Sequence, residues 1–277
     1  MLQAICLFIA FTVLFPIMWV VGMSLDPRPI LRPTDIIPPG ASLQAYVEVV
    51  QQPTTNPVSF LRMALNSFLL AGGVAALSVL IGVSCAYAFS RFRYRGREVW
   101  MLAVLGVLMV PAIATIAPLY VLLNKVIIGD FNLRNSLLGV GLAMISGQLP
   151  FAIWNLKGYL DTIPKELEEA ATIDGASRNE TFFQIILPLA TPALAVTAFL
   201  SFLAGWTEFA LAWQFLTNPQ DFTLAMTLNS MIGQYAGQTP WSRFSAMAIL
   251  IALPVSVVYL FLQKYLVGGL TVGGVKG

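Results

Sequence analysis

Asp161-Thr162-Ile163-Pro164-Lys165-Glu166-Leu167-Glu168-Glu169-Ala170-Ala171-Thr172-Ile173-Asp174-Gly175-Ala176-Ser177-Arg178-Asn179-Glu180 is a polar passage set between two long apolar runs. Asp161 or Thr162 supplies a cap for a helix whose first turn accepts Pro164 and favours Glu166. Glu, Leu and Ala sustain that helix as far as Gly175, a residue suited to a left-handed stop. Ser177 and Glu180 write an S-x-x-E capping box, which opens a second helix over Thr181-Phe182-Phe183-Gln184-Ile185-Ile186-Leu187 up to Pro188. The passage predicts a helix–turn–helix. Its first helix sets Glu166, Glu168, Glu169 and Asp174 against Lys165. A helix lying on anionic lipid carries Lys and Arg instead. An acidic, Ala-rich helix suits a protein partner better, with a plain connector as the alternative.

Outward from this passage the chain is apolar. Hydrophobic residues make up 58% and charged residues 10%, against about a quarter charged in soluble domains. A bilayer core of about 30 Å needs about 20 apolar residues per helix. Stretches at about 4–23, 65–90, 99–123, 136–156, 189–214 and 244–263 meet that need. The expected fold is therefore all-α, a single bundle of six transmembrane helices over 1–277. Ala4–Met23 reads as the first span rather than a cleavable leader, because no charged segment precedes it and no A-x-A site follows. Pro16, Pro111, Pro118, Pro150, Pro192 and Pro254 fall inside spans, which bundled membrane helices tolerate.

Lys and Arg collect on the cytoplasmic side of membrane proteins, and Arg91, Arg93, Arg95 and Arg97 form the densest cluster. That loop is expected inside. Alternation then puts both termini, the loop 157–188 and the tail 264–277 inside, and the loops 24–64 and 215–243 outside. Small residues recur every fourth position at Ser78, Gly82 and Ala86, and at Gly139, Ala143 and Gly147. Such stripes let helices approach closely, either within this chain or against a partner.

Several classes are set aside. A net charge of +2 gives no reason to expect nucleic acid, Cys6 and Cys85 imply no disulfide framework, and His is absent. No metal or bound cofactor is expected. No G-x-x-x-x-G-K-[ST] pattern occurs, so ATP phosphates find no cradle of that kind here. A secondary transporter would call for inverted repeats and paired intramembrane charges, which are not evident. A membrane enzyme lacks a credible nucleophile.

Glu169-Ala170-Ala171, then Gly175, then Ile185-Ile186-Leu187-Pro188 resemble, in full spacing, the EAA loop of permeases that work with ATP-binding cassette ATPases. Phe15-Pro16, Asn66-Ser67 and Cys85-Ala86-Tyr87-Ala88-Phe89-Ser90-Arg91 are similar to the carbohydrate branch of that family. The tail Gly269-Leu270-Thr271-Val272-Gly273-Gly274-Val275-Lys276-Gly277 is similar to that of MalG-type subunits of maltose transporters. The resemblance implies a type I ABC importer permease in the bacterial inner membrane. Glu169, Ala170, Ala171, Asp174, Gly175, Ile185, Leu187 and Pro188 would couple it to the ATPase. Thr271, Gly273, Val275 and Lys276 would add a contact from the tail. The partners implied are a MalF-type second permease, two ATP-binding subunits that hold ATP and Mg, an external sugar-binding protein and the lipid bilayer. The substrate implied is maltose, maltodextrin or trehalose, with other sugars or glycerol phosphate as alternatives.

Two further groups of residues stand out. Glu208 is an acid well inside a span, where a central charge costs about 2.5–3.5 kcal/mol. It suits either a structural hydrogen bond or, with Trp206, the translocation path. Trp206, Trp213, Tyr235 and Trp241 suit an interfacial belt or stacking on sugar rings. The external segment Thr217–Arg243, with Gln234, Tyr235, Gly237 and Gln238, is expected to meet the binding protein, or else to be a solvated connector.

Overall fold

The computed structural model describes residues 2–28, 35–234 and 236–272, and their side chains except at 236 and 266–272. In chain order the helices are α1 Leu2–Ser24, α2 Gln44–Gln51, α3 Phe60–Arg91, α4 Arg97–Leu108, α5 Ala112–Asn124, α6 Leu137–Leu160 and α7 Glu166–Ile173. After α7 come α8 Arg178–Glu180, a π-helical stretch Thr181–Ile186, α9 Leu187–Leu189, α10 Thr191–Trp206, α11 Ala210–Phe215, α12 Leu224–Ser230 and α13 Trp241–Val272. Two short strands, β1 Ile127–Ile128 and β2 Phe131–Asn132, pair antiparallel between α5 and α6. The fold is an all-α membrane architecture. Among the described residues α1, α3, α6 and α13 are long and apolar enough to span a bilayer, and two bent helix pairs bring the number to six if each pair counts as one span.

The chain gathers into two compact units. Met1–Ser67 with Glu208–Ser256 form one, and Phe68–Thr207 with Val257–Gly277 form the other.

One bend departs from the sequence reading, which takes 99–123 as a single span, and the expected span 189–214 is interrupted where α10 gives way to α11. Between α4 and α5 the axis turns by 99°. Pro111 sits at the join with φ −59° and ψ 125°; it donates no backbone hydrogen bond and pushes its predecessor off helical geometry. Pro118, Pro150 and Pro254 lie inside α5, α6 and α13. A second bend, of 73°, separates Arg178–Leu189 from α10. It falls at Ala190, between Pro188 and Pro192, so Pro188 lies within the helix it was expected to end. Helix α10 stops at Trp206, and α11 begins after Thr207–Phe209.

In the first unit, α1 is apolar over most of its length, with a mean hydropathy of 2.6, and is buried only near its end, at Gly22 and Ser24. Phe11, Phe15 and Trp19 follow one another along a single face, ring to ring at 5.8 and 6.1 Å. The proline-rich segment expected as an external loop contains α2, which turns Ala45 and Val49 inward and is tied to the end of α1 by a 2.8 Å bond between Ser24 Oγ and Tyr46 Oη. Asn66 and Ser67 fasten the segment after α11. The buried Asn66 amide donates to the carbonyls of Gln220 (2.7 Å) and Phe222 (3.0 Å). Ser67 Oγ accepts from the backbone N–H of Leu224 at 2.8 Å.

In the second unit, α3 and α6 pack through small residues. A Cβ on Gly82 would lie 3.1 Å from Ala152 Cβ, and Ala86 is fully buried. The stripe Ser78, Gly82, Ala86 therefore serves contact within the chain. The second stripe divides: Gly139 and Ala143 are buried, whereas Gly147 has open space beside it. Gly205 on α10 comes so close to α3 that a Cβ there would sit 2.7 Å from Ala71 Cα.

Candidate functional site

The hairpin from Glu166 to Leu189 is the passage the sequence singled out, and its turn is built as a Schellman motif. Helix α7 ends at Ile173 with Asp174 as its C-cap, and Gly175 follows at φ +89°. The N–H of Ala176 donates to Ala171 O at 2.9 Å, and that of Gly175 to Thr172 O at 3.1 Å. These bonds satisfy carbonyls that a helix end otherwise leaves open. The capping box is formed: Ser177 Oγ accepts from Glu180 N (3.3 Å), and Glu180 Oε2 accepts from Ser177 N (2.7 Å). The start of α7 differs from expectation. The helix begins at Glu166, with Lys165 at its N-cap and no side-chain cap, because Asp161 is occupied as the C-cap of α6 and Thr162 Oγ1 bonds Tyr159 O.

Helix α7 has two faces. Glu169, Ala170, Asp174 and Ile173 are exposed, Ile173 at 86%. Ala171 is its one buried residue, and its methyl contributes only about 0.8 kcal/mol. Eight residues are too few to hold a helix alone in water, where about 12–15 are marginal. What holds α7 is polar. The Arg91 guanidinium, at the end of α3, forms an ion pair through Nε with Glu168 Oε1. It also donates to Ile163 O (2.9 Å) and Ser90 Oγ (3.0 Å). Side-chain exposure is 5% for Arg91 and 17% for Glu168. Tyr87, one turn earlier on α3, donates its hydroxyl to Glu168 Oε2 at 3.1 Å. Ser90 Oγ donates to Asp161 Oδ1 at 2.6 Å, and Lys157 pairs with Asp161 Oδ2 at 2.6 Å. Burial pushes the Asp161 carboxyl up, but Lys157, Ser90 and the Arg91 charge outweigh it and hold the group below its ordinary range. Removing one partner of a buried pair such as Arg91–Glu168 costs about 3–5 kcal/mol.

The second arm of the hairpin is held by apolar packing. Tyr87 meets Phe182 ring to ring at 4.8 Å. Ile186 is fully buried with Leu156, Leu160, Ile163 and Ala190, and Leu187 packs partly against them. Ile185 is half-buried and Pro188 exposed. The residues singled out in sequence thus separate. Glu169, Ala170 and Asp174 present an outward face, Gly175 forms the turn, and Ala171 and Leu187 face the chain's own core.

Sequence reasoning missed Arg91, Tyr87, Glu168 and Ser90 as a group, and missed Ile173. In sequence Arg91 serves as a charge that sets orientation and as the end of the Cys85–Arg91 stretch that carries the family resemblance, not as a contact of α7. Its spacing of four from Tyr87 places both on one face of α3, but nothing local points to Glu168, 77 positions away. Ile173 carried a usable signal, since a large apolar side chain stands out on an acidic helix.

The other candidates lie elsewhere. Glu208 Oε1 accepts from the Leu211 N–H at 2.6 Å, in the first turn of α11. Trp206 is 2% exposed and stacks on Phe202 at 5.6 Å, so its ring is part of the interior of the second unit and presents no surface to a path. In the first unit Gly237 and Gln238 border a cleft of about 360 Å³ together with Arg28, Glu48 and Trp241. Asp26, buried there, accepts from Arg28 Nε (2.9 Å) and Nη2 (2.8 Å), and these bonds hold its carboxyl below the ordinary range. Gln234 is exposed. Tyr235, Gly273, Val275 and Lys276 lie outside the described residues, as does the side chain of Thr271.

The site is a compact hairpin, joined to apolar spans, whose short acidic helix turns an open face outward, the architecture of a multi-span membrane protein. The family model for the binding-protein-dependent transport system inner membrane component matches residues 78–272, and the chain belongs to that family. It is an inner-membrane permease subunit of an ABC importer that works with a binding protein, and ATP hydrolysis belongs to a separate subunit. The galactooligosaccharides transport permease GanQ of Bacillus subtilis is 36% identical over 270 residues, covering 98% of this chain and 93% of the relative. The trehalose/maltose permease MalG of Thermococcus litoralis is 34% identical over 264 residues, 95% and 92% of the two chains. The maltose/maltodextrin permease MalG of Escherichia coli is 37% identical over 227 residues, 81% and 75%. A solved bacterial ABC transporter that imports the acidic polysaccharide alginate shares the fold, with a TM-score of 0.74 at 24% identity over 96% of this chain and 95% of that one.

Proposed function

We propose that this chain forms half of the translocation path of an oligosaccharide importer, and that α7 is the helix through which a separate pair of ATPase subunits drives it between inward- and outward-facing states. The observation that carries the reading is the outward face of α7, where Ile173 is 86% exposed beside Glu169, Ala170 and Asp174. An acidic helix that offers an apolar side chain outside the spans suits a protein surface better than anionic lipid, which selects Lys and Arg. The Arg91 end of α3 and both termini are then cytoplasmic, in keeping with Arg91, Arg93, Arg95 and Arg97. ATP and Mg belong to the partner ATPase, and a MalF-type second permease completes the path. Glu169, Ala170, Ala171, Asp174, Gly175, Ile185, Leu187 and Pro188 serve coupling, inward- and outward-facing residues alike. Thr271, Gly273, Val275 and Lys276 add a tail contact. The segment Thr217–Arg243, through Gln234, Tyr235, Gly237 and Gln238, meets the sugar-binding protein outside.

The substrate proposed is a maltose-, maltodextrin- or trehalose-like oligosaccharide. Relatives named for trehalose/maltose and maltose/maltodextrin transport support it, and the relative named for galactooligosaccharides supplies the alternative. Ile173→Glu should abolish recovery of the ATPase with the tagged permease when all subunits are co-expressed, while the permease still reaches the membrane. Normal recovery and normal uptake would refute the docking helix. Competition of unlabelled trehalose, maltotriose and galactooligosaccharide for uptake of labelled maltose decides the sugar.

A further inference from the structure

We propose that Arg91 is the main joint that fastens the docking helix to the transmembrane spans, so that displacement of α7 is passed into α3 through its guanidinium, with the Tyr87 hydroxyl as a second, weaker tie. The proposal rests on the reading of α7 as the ATPase-docking helix, and adds to it the route by which movement leaves that helix.

Three observations carry it. First, α7 has almost no apolar anchorage, because Ala171 is its only buried residue. Its place is set by Glu168, whose two carboxylate oxygens go to Arg91 and to Tyr87, both on α3. Second, the same guanidinium holds the connector between α6 and α7 through Ile163 O at 2.9 Å, and it bonds Ser90 Oγ, which reaches Asp161 at the end of α6. One side chain thus ties the end of α3, the connector and the first turn of α7. Third, the site is shielded. The Arg91 side chain is 5% exposed, and planar guanidinium bonds shielded from water are both strong and directional. The neighbouring Arg93 is exposed, so the role belongs to position 91 and not to the basic loop as a whole.

Between α7 and α6 the backbone route runs through Asp161–Lys165. A five-residue connector holding Pro164 does not by itself set the orientation of a two-turn helix. The Arg91–Glu168 pair supplies the missing constraint. Arg91 is a positioning residue: it acts through α7 and touches neither nucleotide nor sugar.

The test uses the whole importer in proteoliposomes with its binding protein, scoring labelled maltotriose moved per ATP hydrolysed. Labelled galactooligosaccharide replaces maltotriose if it wins the competition above. Arg91→Lys keeps the charge that orients the chain but loses the fork, and Glu168→Gln removes the ion from the other side. Each should assemble, continue to hydrolyse ATP and move at least tenfold less sugar per ATP. The double variant should be no worse than either single one, and Arg93→Gln should match the unmodified protein. Unchanged transport per ATP in Arg91→Lys and Glu168→Gln would overturn the joint. So would loss of assembly in both, since the pair would then be a folding element only. Ile173→Glu separates the two failures. If it loses the ATPase while the Arg91 and Glu168 variants transport normally, docking stands and the joint falls. If it keeps the ATPase and full uptake, the docking reading itself fails.

Discussion

Replacing Gly175 tests whether the turn between α7 and α8 sets the direction of the hairpin, and the structure allows its cost to be worked out. The residue sits at φ +89°, and a Cβ added there meets nothing within 4 Å. Any penalty is therefore conformational, not a clash. An L-residue forced into the left-handed region costs roughly 1–2 kcal/mol. A change from Gly to Ala gives back about 0.4–1 kcal/mol by reducing the freedom of the undocked chain. The net for Gly175→Ala is then about 1 kcal/mol, or about fivefold in the fraction of hairpins that hold the turn. A β-branched side chain is a stronger outlier at positive φ, so Gly175→Val should cost more, whereas Asn tolerates the region. The expected order of damage is Asn, then Ala, then Val.

The assay reads the turn directly. The N–H groups of Gly175 and Ala176 are the donors of the Schellman bonds to Thr172 and Ala171. In the importer held in nanodiscs, hydrogen exchange at positions 175 and 176 should quicken about fivefold for Ala, more for Val and least for Asn. Uptake should fall in the same order, with expression unchanged. Exchange in the Val variant at the rate of the unmodified chain would refute the reasoning. So would an Asn variant as damaged as Val, because the conformational argument ranks them apart.

Two other substitutions probe how the units are held. Asn66→Leu removes the amide bond to the Phe222 carbonyl and leaves Gln220 O with the longer bond from Arg62 Nε (3.3 Å), at a site where residue 66 is 1% exposed; at about 1–3 kcal/mol for an unsatisfied group, the thermal midpoint of the purified importer should drop and segment 217–223 should become open to protease. Gly205→Val drives a Cβ to 2.7 Å from Ala71 Cα and should destabilise by about 1–3 kcal/mol through overpacking, whereas Gly73→Ala, with open space at its Cβ, should leave the midpoint unmoved.

How far the molecule could be read in advance depended on whether a feature is local. The spans follow from runs of apolar residues, and the hairpin follows from Gly175 and the Ser177/Glu180 box, because capping chemistry acts over a few neighbouring residues. The bend at Pro111 was not legible. Proline inside a membrane helix is compatible with either a continuous or a broken span, and the choice is made by what packs around it. Pro118 and Pro150 show the other outcome in the same chain. The clamp was out of reach for a different reason. Arg91 and Glu168 are each ordinary where they stand in sequence, one in a basic loop and one in an acidic helix. Their meeting depends on α3 and α6 packing through Gly82 and Ala86 closely enough for the Arg91 end of α3 to reach the connector. The small-residue stripe was visible in the sequence and so were the charges. What joins them is the distance between two helices, and that distance is set by the absence of side-chain bulk at Gly82. A larger residue at Gly82 would therefore act on α7 without touching it, by moving Arg91 away from Glu168.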